Sequence, residues 1–185
     1  VLQQRDGQTL GVAAALETLA STTNTFAAGS AAALVGALAA AVTTKVARTS
    51  LSGADAAQAE QLRSRLVRLA EVDAHVFGTA RAAVRGVGGT GDQVADVRLG
   101  EALSRAAAVP LEIAEACADV AVIAGGLART VDLSLEPDVS AASLLAAAAA
   151  GAAAVLVEAN LAVAPEDDRA ARARAAAQAA SAACD

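Results

Sequence analysis

The sequence predicts an all-α fold: one domain over residues 1–185, a bundle of about six helices with a long central helix and two fully apolar helices buried within it. Three observations lead there. Period-two alternation of apolar and polar residues is essentially missing, which removes the signature of half-buried strands. Alanine, the strongest helix former, dominates the chain, and only 3 prolines interrupt it. Hydrophobic residues make up 56% and aromatics 1%, so Ala, Leu and Val must fill the core, and such small side chains let helices approach closely.

Taken in order, a first helix is expected over residues 9–20, closed by the polar run Ser21-Thr22-Thr23-Asn24-Thr25. A second, over 29–51, starts in Gly29-Ser30 and carries no charge until Lys45. Ser52-Gly53 breaks it. Asp55 then opens a long third helix reaching residue 85. Gly86-Val87-Gly88-Gly89-Thr90-Gly91 reads as a connection, because it follows a helix rather than a strand and lacks the Lys-Ser/Thr of a nucleotide-binding loop. Asp92 is placed to cap a fourth helix running from 93 toward Pro110, where a missing N–H and a steric clash predict a kink or restart. The stretch 111–130 should loosen at Gly125-Gly126. Pro137-Asp138 starts a fifth, buried helix over 139–163, with Asp138 in position to cap it, and Pro165 starts a sixth that alternates Asp, Arg and Ala.

Composition narrows the function classes. The formal net charge is −6 and no dense Lys/Arg run exists, which argues against nucleic acid as a partner. Cys117 and Cys184 make no disulfide framework, and a single His makes no zinc pattern, so no metal is expected and a reducing cytoplasm fits. No charged-then-apolar signal sequence is visible at the start. The stretches 18–44 and 139–157 are uncharged and long enough to cross a bilayer, which takes about 20 apolar residues. Alanine is only weakly lipophilic, however, and the interfacial Trp/Tyr belt is absent. Two helices at the centre of a bundle are the better reading, with no membrane partner.

Asp73 has the strongest physical case for chemistry. At about 100° per residue, it falls on the same helical stripe as Leu62, Leu66, Leu69 and Val76. Glu60, Arg63, Arg68, Glu71, Arg81 and Arg85 take the opposite arc. A carboxylate on an apolar face must be neutral, hydrogen-bonded or engaged with a ligand. Gly29-Ser30 is the second candidate: small residues at a helix start let a ligand approach unpaired backbone N–H groups, although Ser also simply caps helices. His75, two positions from Asp73, projects to the solvent arc, which rules against a Ser-His-Asp or Cys-His device. Glu112, Glu115 and Asp119 read as solvated surface.

Five segments then carry a resemblance: Phe26-Ala27-Ala28-Gly29-Ser30, Val72-Asp73-Ala74-His75-Val76-Phe77, Val109-Pro110-Leu111-Glu112-Ile113-Ala114-Glu115-Ala116, Pro137-Asp138, and Gly151 with Asn160-Leu161. In this order and spacing the chain resembles the cyclodeaminase/cyclohydrolase family of folate enzymes. That family includes the cyclodeaminase half of formiminotransferase-cyclodeaminase and stand-alone methenyltetrahydrofolate cyclohydrolases. The resemblance implies an all-helical cytoplasmic homodimer acting on a one-carbon-substituted tetrahydrofolate, with no tightly bound cofactor. It implies Asp73 as the catalytic acid or base, and Gly29, Ser30, Asp138 and Asn160 as the residues that position the pterin and its one-carbon unit. Lys45 and Arg48 would meet the glutamate tail, or else serve the C-terminal end of their helix. The candidate reactions are cyclodeamination of 5-formimino-tetrahydrofolate and hydrolysis of 5,10-methenyl-tetrahydrofolate.

The chain also departs from the family pattern. Phe26-Ala27-Ala28 replaces Pro-Gly-Gly, Leu156 and Glu158 stand where an Asn and an Arg are usual, and Ser52-Gly53-Ala54-Asp55 stands where a Lys-rich segment is usual. These departures keep a second reading open: a helical dimer of the family fold that has lost its chemistry and serves as a binding or scaffold module.

Overall fold

The computed structural model describes residues 11, 13–22, 26–86, 93–162, 164 and 166–185. The chain is all-helical among these residues, as the composition predicts. A helical segment over 13–20 precedes six helices: α1 (Ala28–Thr49), α2 (Gly53–Gly86), α3 (Gln93–Ala106), α4 (Ala108–Ala128), α5 (Glu136–Asn160) and α6 (Asp168–Ala182). The glycine-rich connection after Gly86 lies outside the described residues.

Each boundary has a local cause. Helix α1 ends in a Schellman-type turn, where Leu51 adopts φ 59° and Ser52 N–H reaches back to Ala47 C=O at 2.8 Å. Ser52 Oγ then donates to Asp55 Oδ2 at 2.6 Å across the first turn of α2. The break expected at Pro110 comes earlier, between α3 and α4. Pro110 therefore falls in the first turn of α4, where its missing N–H has no intrahelical partner to lose. Pro137 takes the same kind of place in α5. Asp138 lies inside the first turn of α5 and does not cap it; the capping position is Leu135. Helix α6 is capped by Asp167, which accepts from Arg169 N–H at 3.0 Å.

The stretch expected to loosen at Gly125-Gly126 remains helical. Gly125 instead gives room to the chain's C-terminal segment, since a Cβ there would overlap the Ala183 carbonyl. Glycine in a helix is here a packing device.

Helix α1 packs between α2 and α5, and α4 lies against all three. Helix α6 packs on α4 and α5, and α3 chiefly on α2. Lys45 near the end of α1 meets Asp138 near the start of α5, so these two helices run antiparallel. The core between them is mostly alanine: Ala33, Ala39, Ala40, Ala146, Ala150 and Ala153 are fully buried, with Leu66, Ile113 and Val120 the larger members. A Cβ at Gly36 would overlap Cys117 Sγ and crowd Leu66, so glycine there lets α1 approach α4 and α2.

Helices α1 and α5 are both long and apolar enough to cross a membrane. In the bundle each is buried on one side. Leu38 of α1 and Leu144, Leu145 and Val155 of α5 are exposed on the faces turned away from the neighbouring helices, so the two helices are not buried all round as the sequence suggested.

Candidate functional site

The stripe geometry of α2 puts Asp73 where the sequence places it. Leu62, Leu66 and Leu69 are buried along one face, and Asp73, only 7% exposed, continues that line toward the start of α1. His75 is exposed, as expected. The carboxyl meets the N-terminus of α1, whose capping residue Ala27 offers no side-chain bond. Asp73 takes over that task from a neighbouring helix. Ser30 Oγ donates to Asp73 Oδ2 at 2.9 Å, and the Ser30 N–H at the same helix start also favours the charged carboxyl. Ser30 is fully buried, and its Oγ also stands 2.9 Å from the Ala70 carbonyl oxygen, one turn before Asp73.

Gly29 completes the arrangement. A Cβ there would overlap Asp73 Oδ1, so only glycine lets the carboxyl rest against the helix end. The sequence points to Gly29, Ser30 and Asp73 separately; the fold brings the three into one contact.

Two opposed effects act on the Asp73 proton. Burial pushes the carboxyl above the usual carboxylate range, and the two Ser30 donors pull it back only in part. An unpaired N–H at a helix start also favours the charged form. The net rise leaves a carboxyl that can hold a proton and release it, in a place sheltered from solvent.

The remaining candidates separate along the bundle. Lys45 is 15 residues after Ser30 in the same helix, which corresponds to about 22 Å of axial rise. There Lys45 Nζ lies 3.5 Å from Asp138 Oδ2, and Arg48 lies 3.6 Å from Glu60. Within one chain, therefore, Asp138, Lys45 and Arg48 are not beside Asp73. A shallow recess at this end is lined by Ala41, Thr44, Lys45, Arg48, Glu60 and Arg63. Arg63 strengthens it: its guanidinium pairs with Glu60 and holds that carboxyl low, while Arg63 Nε is buried without a hydrogen-bond partner. Asn160 is the last residue of α5 and so lies toward the Asp73 end of the antiparallel pair. Glu158, at the position where an Arg is usual, pairs with Arg174 of α6 at 2.8 Å.

Two members escaped the sequence. The Ala70 carbonyl is a backbone acceptor that no residue type announces. Arg63 sits on the charged arc of α2 and turns toward the end of α1 only through the packing of the two helices.

Comparison with known proteins agrees with this architecture. A family model described as formiminotransferase-cyclodeaminase matches residues 11–180. The fold is similar to that of a formiminotetrahydrofolate cyclodeaminase from Thermotoga maritima, with a TM-score of 0.72 and 22% sequence identity over 91% of this chain and 92% of that one. No curated protein matches the chain.

Proposed function

The chain belongs to the formiminotransferase-cyclodeaminase family, and on that premise we propose that it is a folate-dependent one-carbon enzyme with Asp73 as its proton-transfer group. The observation that carries this reading is the buried Asp73 carboxyl held against Gly29 and Ser30, with its proton affinity raised by burial. Cyclodeamination of 5-formimino-tetrahydrofolate needs such a group. Nitrogen N10, outside the pterin ring, adds to the formimino carbon as its proton passes to the outer nitrogen, and the bond from that carbon to the outer nitrogen then breaks. A protonated carboxyl supplies the proton with which the outer nitrogen leaves as ammonia. Hydrolysis of the 5,10-methenyl form passes through a similar tetrahedral carbon, with the ionised carboxyl accepting a proton from the attacking water. The former is favoured by the similarity to a formiminotetrahydrofolate cyclodeaminase.

Reduced folate is the proposed ligand, with Asn160 near the pterin and the recess at Lys45 and Arg48 offered to the carboxylates. Since Asp138 and Lys45 lie far from Asp73 on the same subunit, a homodimer is part of the proposal. Its support is the uncharged exposed face formed by Leu38 of α1 and Leu144, Leu145, Ala148, Ala152 and Val155 of α5, a contiguous apolar surface of the kind that marks an interface.

The second reading, a module that binds folate without turnover, is favoured by one observation: Glu158 is engaged with Arg174, so that position offers no cation to an anionic ligand. Spectroscopy separates the two. The enzyme reading expects methenyl-tetrahydrofolate to form from the formimino substrate with release of ammonia, or to disappear faster than it hydrolyses alone. Calorimetric binding without turnover would support the module, and no binding at millimolar reduced folate would end both readings. Sedimentation in detergent-free buffer tests the dimer, and a monodisperse monomer would remove it.

A further inference from the structure

We propose that Ser30 is a positioning residue that accommodates Asp73 in both protonation states without movement of heavy atoms, and that it does not bind substrate. This rests on the reading of Asp73 as the proton-transfer group. Ser30 is fully buried, so its hydroxyl has no surface to offer a ligand. That hydroxyl has one proton and two acceptors in reach, Asp73 Oδ2 and the Ala70 carbonyl, each at 2.9 Å. Only one can be served at a time.

The geometry assigns each acceptor to one state. When Asp73 is ionised, the Ser30 hydroxyl donates to Oδ2. When Asp73 carries a proton on Oδ2, that proton is donated to Ser30 Oγ, and the hydroxyl turns to the Ala70 carbonyl. Both states keep every buried polar group satisfied, which a low-dielectric site otherwise makes costly. The exchange requires rotation about one C–O bond. Pinning Oδ2 leaves Oδ1, which lies over Gly29, outside this exchange.

Burial, the Ser30 hydroxyl and the Ser30 N–H are the influences on Asp73, and charged groups on the helices around it are placed elsewhere. Glu71 and His75 of α2 itself are exposed. Lys45 and Arg48 of α1 pair with Asp138 and Glu60 at the far end. Glu112 and Glu115 of α4 pair with Arg65 and Arg172, and Asp119 is exposed near Arg65. On α3, Arg105 pairs with Glu101 and Arg98 is exposed.

The test is a carboxyl titration of the full chain by carbon NMR, read without folate, so its failure is separate from failure of the folate assignment. In the parent, the Ser30 amide resonance should move with the same midpoint as the Asp73 carboxyl. In Ser30→Ala the Asp73 midpoint should shift to higher pH, because the ionised form loses a donor. Ser30→Thr, which keeps the hydroxyl, should return it toward the parent value. If turnover is present, the Asp73 limb of the pH–rate profile should shift in the same direction. A Ser30 amide silent through the Asp73 titration, or an unshifted midpoint in a folded Ser30→Ala, overturns the proposal; lowered stability with an unmoved midpoint would make Ser30 merely structural.

Discussion

Gly29 has no room for a side chain because the Asp73 carboxylate occupies the space that a Cβ would take. Asp73 and the end of α1 are therefore mutually constrained. A carboxyl from α2 satisfies Ser30 at a helix start that has no side-chain cap of its own, and the missing side chain at position 29 is what admits it.

Gly29→Ala is expected to destabilise the protein by about 1–3 kcal/mol, the usual range for overpacking a tight site. The cost should shrink when Asp73 is also replaced by Ala, since the overlap then disappears. Denaturant midpoints of the two single variants and the double variant make the cycle. Strict additivity would show that the two residues do not exclude one another.

The raised proton affinity of Asp73 has a sign in stability. The folded chain keeps a proton that the unfolded chain gives up above the ordinary value of 3.8. The stabilising contribution is fully present below that value and is lost as pH rises through the folded-state value. Chemical denaturation across this interval should therefore show a decline that Asp73→Asn lacks. Equal slopes in the two proteins would remove Asp73 as its source.

Asp167 behaves in the opposite sense. Hydrogen bonds from the Arg169 side chain and N–H hold its carboxyl down to about 2. Its contribution is present above 3.8 and is lost as pH falls toward 2. Arg169 also donates to Ser104 C=O at 2.7 Å and Ser104 Oγ at 2.8 Å, tying α6 to α3. Arg169→Ala should cost about 1–3 kcal/mol and flatten the acid limb of stability against pH. An unchanged acid limb would refute the clamp.

Leu51 is a leucine in the left-handed backbone region, with its side chain 91% exposed. Nothing is gained there to offset the strain. Leu51→Gly should raise stability by about 0.5–1 kcal/mol, measured as a higher thermal midpoint. A loss would show that glycine's extra freedom in the unfolded chain outweighs the relief.

Cys117 is fully buried, and burial pushes its thiol up to about 12. It should resist maleimide at neutral pH in the folded protein and react after denaturation, whereas the half-buried Cys184 reacts in both. Mass spectrometry counts the labels. Native labelling of Cys117 would mean that the contact between α1 and α4 opens readily.

What depends on spacing along one helix was determined by the sequence alone. Helical content follows from alanine and the missing alternation. The burial of Asp73 beside Leu62, Leu66 and Leu69, and the exposure of His75, follow from 3.6 residues per turn. The tertiary structure decided what depends on how separate helices meet. Ser30 finds its partners 40 and 43 residues away, one of them a backbone carbonyl. Gly125 serves the C-terminal segment where the sequence suggested a loosened helix. Asp138, which the resemblance groups with Asn160 around the pterin, stands at the opposite end of α5, paired with Lys45. Periodicity says which side of a helix is buried, but the direction in which that helix runs past its neighbours is set by packing. That direction places Gly29 and Ser30 against Asp73 and keeps Asp138 away from it.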